Sequence, residues 1–247
     1  MDFRNIAQQG VNFEGVVLYN PSITELSQVY EEEEDFFFVL KIMQMSLKEL
    51  MQVTEDVTEF QIFYTMLTTT QEIVGFTEEK RKCLFNFLEL LFKNFKMQIN
   101  NMAILFSNPT DNSFLILSNR NFENFKNSVN KMFGVSEFFE DKQQETFNPA
   151  DERAKAIAAK IQKGRDKAAA DKGVSETKHG LIENYISILS TGFKIPPSDI
   201  CDKYTFYNLI TGYKKFLAQE AWNLEIKARL AGASPRDDSP ENWMQFN

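Results

Sequence analysis

Thr77-Glu-Glu-Lys-Arg-Lys-Cys-Leu-Phe-Asn-Phe-Leu-Glu-Leu-Leu-Phe-Lys-Asn-Phe95 is the stretch on which the fold class turns. Thr77 followed by two acids is a good helix start, because its hydroxyl can accept from an early backbone N–H while Glu78 and Glu79 meet the positive end of the helix dipole. Leu84, Phe85, Leu88, Leu91, Phe92 and Phe95 then recur at helical spacing. Immediately afterwards the period changes. Met102-Ala-Ile-Leu-Phe and Ser113-Phe-Leu-Ile-Leu are short apolar runs separated by Ser107-Asn-Pro-Thr-Asp-Asn, which predicts a β-hairpin near 102–117. Asn121 then caps a helix that runs through Phe133 and closes on Gly134.

Working outward, the same helical signature recurs in both directions. Upstream, Gly15-Val-Val-Leu reads as a short strand, and Asn20 or Ser22 caps a helix carrying Ile23, Leu26, Val29 and Tyr30. Glu31-Glu-Glu-Glu-Asp35 reads as a helix end or solvated face, with a metal or basic-partner site as the alternative. Phe37, Leu40, Met43, Leu47, Leu50 and Met51 continue as one or two amphipathic helices, and another spans about Thr58 to Val74. Downstream, Asn148-Pro-Ala-Asp-Glu opens a helix with a narrow stripe of Ala154, Ile157, Ala158 and Ile161 among bases. Past Gly173, Leu181 to Leu189 form a helix ending near Gly192, and Ile195-Pro-Pro is a stiff elbow, with Ser198 capping a single turn through Cys201. Thr205 caps a long helix that stops at Gly232. The expected fold is mainly α: a helical domain at 1–146 with a small β-hairpin, a basic linker helix at 147–174, and a small helical hairpin with a tryptophan-bearing tail at 175–247.

Composition supports that division. Of 24 phenylalanines, 20 lie at or before Phe147. The segment 151–178 carries a local charge of +3 while the whole chain carries −8, so the basic connector interrupts an otherwise acidic protein. An acidic surface repels phosphates, which argues against a general nucleic-acid binder. The linker helix, with Lys160, Lys163 and Arg165, leaves a nucleic-acid-binding regulator as an alternative. Cys83 and Cys201 match no metal spacing and read as reduced thiols. The first ten residues lack the apolar run of a secretory signal, and no segment approaches a membrane span. A soluble intracellular protein is expected.

A search for chemistry returns little. The single histidine, His179, has no local carboxylate or pocket to make it a general base. The ten glycines form no phosphate-cradling loop. Acidic pairs such as Asp199 with Asp202 lack a histidine or further carboxylate at ligand spacing. The expectation is a non-enzymatic protein with no cofactor and no metal.

The most specific stretch is the C-terminal one. Both tryptophans, Trp222 and Trp243, lie there. Trp222, Ile226 and Leu230 form a helical stripe, and the loop Ser234-Pro-Arg-Asp-Asp-Ser-Pro is short enough to return Trp243 and Met244 onto it. Those five residues are the candidate partner-binding set, since a large aromatic near a chain end is costly to leave in water. The run Trp222-Asn-Leu-Glu-Ile-Lys-Ala-Arg-Leu-Ala-Gly-Ala, with Pro240-Glu-Asn-Trp-Met, resembles the C-terminal end of tail assembly chaperones of tailed bacteriophages. Asn148-Pro-Ala-Asp-Glu-Arg-Ala-Lys-Ala-Ile-Ala-Ala-Lys-Ile, Glu183-Asn-Tyr-Ile-Ser-Ile-Leu and the start Tyr19-Asn-Pro-Ser-Ile-Thr-Glu are similar to other parts of the same proteins. The resemblance implies a mostly helical protein of the host cytoplasm that binds the tape-measure protein, keeps it soluble and helps the major tail protein polymerise around it. Self-association stands beside those partners as an alternative. A structural virion component of the tail, neck or baseplate is the rival reading.

Overall fold

The computed structural model describes residues 10–51, 56–69, 76–110, 112–135 and 180–232. The fold is mainly α with two small antiparallel sheets. Strands β1 (Val11–Phe13) and β2 (Val16–Leu18) pair as a hairpin whose two turn residues, Glu14 and Gly15, both have positive φ. That is the turn geometry whose twist matches paired strands, and Asn12 Oδ1 accepts from the Gly15 N–H to hold it. Ser22 then caps α1 (Ile23–Val29) through a capping box with Glu25, each side chain bonding the other residue's backbone N–H.

Helix α2 (Glu33–Gln44) begins within the acidic run, so that Glu33, Glu34 and Asp35 sit at its positive end. It is followed by the single turn α3 (Leu47–Leu50) and by α4 (Glu59–Thr68), which opens on a second capping box formed by Thr58 and Gln61. The helix expected to reach Val74 ends sooner, at Thr68, where Thr69 is an extended C-cap; residues 70–75 lie outside the described residues. Thr77 caps α5 (Glu78–Leu91) as the sequence predicts. The helix ends earlier than its apolar stripe suggests: Phe92 is the C-cap and Phe95 lies past it. The expected hairpin is one half of a three-stranded sheet, β3 (Lys96–Asn100), β4 (Ala103–Ser107) and β5 (Phe114–Leu117), in that spatial order. Its inner face presents Ile104, Phe106, Leu115 and Leu117 to the core. Helix α6 (Phe122–Phe133) closes on Gly134 in the left-handed conformation.

The C-terminal elements are α7 (Leu181–Phe193), α8 (Pro197–Lys203) and α9 (Phe206–Leu230). Pro196 precedes α8 and Pro197 occupies its first turn, so Ser198 is inside the helix rather than its cap. Thr205 caps α9 by accepting from the Asn208 N–H. The stacked rings of Tyr185 and Tyr213, 4.1 Å apart, join α7 to α9.

The hydrophobic core crosses the expected domain boundary. Phe206, Leu209 and Ile210 of α9 belong to the same buried cluster as Phe36, Leu88 and Phe133. Phe36 meets Phe206 edge-on at 5.0 Å and Phe133 at 5.8 Å, an arrangement that ring quadrupoles favour beyond the area buried. Backbone contacts reinforce the join: the Ile23 N–H donates to the Tyr204 carbonyl at 3.0 Å, and Ser22 bridges Thr205. The described part of 175–247 is therefore packed onto the phenylalanine-rich region rather than standing apart from it. The basic helix expected at 147–174 lies outside the described residues. Among the described residues no helix is long and apolar enough to cross a membrane.

Candidate partner-binding site

Helix α9 has two unlike halves. Its first turns are anchored by the buried Phe206, Tyr207, Leu209 and Ile210. From Leu217 onward the helix leaves the core and carries apolar side chains into solvent: Leu217 is 47% exposed, Leu224 63% and Leu230 84%. The chain continues helically there because the segment is rich in Ala, Leu, Lys and Glu. An Arg229–Glu225 pair at 2.8 Å adds support one turn apart.

Of the five residues expected to bind a partner, three are described. Trp222 is half-buried, Ile226 is 36% exposed and Leu230 is the most exposed large apolar residue named on α9. At 3.6 residues per turn these three share one face. Trp243 and Met244 lie outside the described residues. Leu217 and Leu224, seven residues apart, fall on the opposite face and are not among the five, although Leu217 belongs to the apolar stripe expected along this helix. Their spacing was visible, but spacing alone does not say which stripe the protein covers.

A cleft forms a second concave feature. Its floor is Ile23 and Leu26 of α1, the C-cap residue Tyr30, Phe36 of α2 and Ile186 of α7, and its volume is about 360 Å³. Glu31, Glu32, Glu33 and Glu183 line it as well, with Cys201 at the α8 side. Its walls are fixed by bonds between distant parts of the chain. The Glu33 carboxylate accepts from the Ile182 N–H at 3.1 Å and the Glu183 N–H at 3.3 Å, satisfying N–H groups in the first turn of α7. Thr24 Oγ1 donates to Asp202 at 2.6 Å on the other side. Tyr30 donates its hydroxyl to the Cys83 carbonyl at 3.2 Å, and burial, with Cys83 and Asp35 nearby, pushes its phenol pKa up.

The cysteines have no activated character. Burial pushes the Cys83 thiol up to about 11, with Asp35 adding to the effect, and burial beside Asp202 raises Cys201. Both changes disfavour the thiolate that a nucleophile or metal ligand requires. No group of three or more His, Cys, Asp or Glu side chains that could hold a metal occurs among the described residues.

The ion pair best tied into the fold is elsewhere. Glu59 accepts from Ser46 Oγ at 2.9 Å, the Leu47 N–H at 2.8 Å and Lys126 Nζ at 3.4 Å. Lys126 also donates to the Met45 carbonyl at 2.8 Å. Burial works to raise the Glu59 pKa, but these donors outweigh it and hold the carboxyl below the usual range. Glu59 lies on α4 and its partners come from the start of α3 and from α6, so this cluster fastens three helices together. Compared with known proteins, the chain matches no family model, no curated protein and no solved structure.

Proposed function

We propose that this chain is a non-enzymatic morphogenesis protein of a tailed bacteriophage, a tail assembly chaperone that binds the tape-measure protein in the host cytoplasm. In this reading it keeps that long apolar chain soluble while the major tail protein assembles around it. The observation that carries the proposal is the distal half of α9, a helix anchored at one end that exposes leucines on two faces. Such a helix can lay an apolar face against another helical chain, as helix-in-groove and coiled-coil partners do. In this reading the partner is taken from the resemblance of 148–161 and of the C-terminal run to tail assembly chaperones. Trp222, Ile226 and Leu230, with Trp243 and Met244, form the proposed partner surface, and Leu224 extends it to the second face.

Co-expression with the tape-measure protein followed by pull-down tests the reading. Wild-type protein should retain the long partner, and Leu224→Asp with Leu230→Asp should release it while circular dichroism stays unchanged. Failure to retain the tape measure overturns the proposal. Stoichiometric copies of this chain in purified virions, measured by mass spectrometry, would favour a structural tail, neck or baseplate component instead.

A further inference from the structure

The α9 surface leaves the cleft between α1, α2, α7 and α8 without a role. Two independent features meet in it. One is a preformed apolar floor of Ile23, Leu26, Tyr30, Phe36 and Ile186. The other is a set of four carboxylates, Glu31, Glu32 and Glu33 at the α1–α2 turn and Glu183 facing them from α7. None of the described lining residues is basic. At about 360 Å³ the cleft is near the lower end of ligand sites, which run from about 300 to 1,000 Å³. That volume suits one or two large side chains better than a whole nucleotide cofactor. Acids around an apolar floor would repel an acidic ligand and gain nothing from a neutral one, so the cleft discriminates by charge as well as by shape.

We propose that this cleft docks a segment of a partner protein in which one or two large apolar side chains are flanked by lysine or arginine. The apolar side chains enter between Leu26, Phe36 and Ile186, and the bases meet Glu31 and Glu183, both of which are exposed. Glu33 keeps its hydrogen bonds to the start of α7 and contributes its charge from the wall. Because the bonds from Thr24 to Asp202 and from Glu33 to α7 already hold both walls, docking needs little ordering of the site, which favours affinity for a short segment. The acidic turn would also speed encounter with a basic segment, and that steering weakens with added salt.

A short fluorescein-labelled peptide of leucines and lysines at helical spacing, and the same peptide with every lysine replaced by glutamate, test this on the full chain by anisotropy. The lysine peptide should bind about tenfold or more tightly than the glutamate peptide, and less tightly as salt is raised. The double change Glu31→Lys with Glu183→Lys should remove that preference, and Ile186→Glu should weaken binding about tenfold. Leu224→Asp on α9 should leave it unchanged, so a failure here is distinguishable from a failure of the chaperone reading. Location is read by N-ethylmaleimide at mildly alkaline pH: bound peptide should slow labelling of Cys201, which lines the cleft, while buried Cys83 serves as the internal control. Equal affinity for both peptides, insensitivity to the Glu31 and Glu183 reversals, or binding without protection of Cys201 would each overturn the proposal.

Discussion

Replacing Glu59 by alanine should be far more damaging than its partly exposed position suggests. One carboxylate there serves α3, α4 and α6 together. It caps the first turn of α3 through the Leu47 N–H at 2.8 Å, where Ser46 makes no capping bond of its own, and it faces Lys126, which is only 4% exposed. Loss of the cap costs about 1 kcal/mol. Removing one partner of a fully buried pair costs about 3–5 kcal/mol. Here the Glu59 side chain is 25% exposed and Lys126 keeps the Met45 carbonyl, so roughly half of that cost, about 2 kcal/mol, is expected. Together Glu59→Ala should lose about 3 kcal/mol, which for a chain of this size lowers Tm by about 6–12 °C. Lys126→Met should lose only about 1–2 kcal/mol, because Glu59 retains its backbone and serine donors while one carbonyl goes unpaired. In the double variant the losses should fall short of the sum by about 1 kcal/mol, since the second change no longer strands a buried charge. Urea unfolding followed by circular dichroism, with both cysteines kept reduced, measures all three. A loss under about 1 kcal/mol for Glu59→Ala, or strict additivity in the double variant, would refute this account of the cluster.

The same carboxyl makes a pH prediction. Its folded pKa lies below its unfolded one, so its stabilisation is present above the ordinary carboxylate range and drains away as pH falls through the folded value. The stability gap between wild type and Glu59→Gln should therefore narrow on acidification, and a gap that widens would contradict the assignment. At Gly134, φ is +63° and an added Cβ would lie 2.7 Å from Tyr207 Cδ2. Gly134→Ala should cost about 1–3 kcal/mol by calorimetry, through left-handed strain and through displacement of α9, and an unchanged Tm would be evidence against both. Trypsin should cut first between 141 and 177, where Lys and Arg are dense, yet the two pieces should co-elute under native conditions because Phe206 packs on Phe36. Separate elution would mean that this packing is weak. In a Trp222→Phe background, Trp243 emission should shift to the blue when the partner binds. Emission that stays red-shifted and freely quenched removes Trp243 and Met244 from the partner surface.

Local signals were read well from the sequence because local chemistry determines them. Ser22, Thr77 and Thr205 are caps in the structure, Gly134 ends α6, and Pro109 lies in the connection between β4 and β5. Strand β3 escaped for an instructive reason. Lys96-Met-Gln-Ile-Asn alternates cleanly, but Phe92 and Phe95 extend the preceding helical stripe, and helix period masked strand period where the two met. Strand β1 escaped because Val11-Asn-Phe has a strand-disfavouring Asn where the equally short β2 has consecutive valines, although Glu14-Gly15 is a fair hairpin turn. Long-range joins carry no such local mark. Nothing near Glu33 announces that it accepts from N–H groups 149 and 150 residues away. For the same reason the acidic run reads as a solvated face in the sequence, whereas in the structure α8 packs against α1 and Glu33 ties α7 to α2, which together form the cleft.

Helix α9 carries this division between local and distant causes into function. Its first turns are stabilised by burial, whereas the stretch from Leu217 to Leu230 spans roughly 20 Å at 1.5 Å per residue, with large apolar side chains left uncovered. A helix of about 12–15 residues is marginal in water by itself, and most helical stability in proteins comes from packing an apolar face. Continuity with the anchored turns removes the nucleation cost, so this stretch can persist as helix, but each of these partly exposed leucines remains worth about 1–2 kcal/mol to whatever buries it. If the proposed partner packs along this stretch, its binding should stiffen α9 as well as cover it. Amide hydrogen exchange across 217–230 should slow on complex formation while exchange in 206–210, already buried, stays the same. Protection confined to 206–210, or absent altogether, would place the partner somewhere other than this helix.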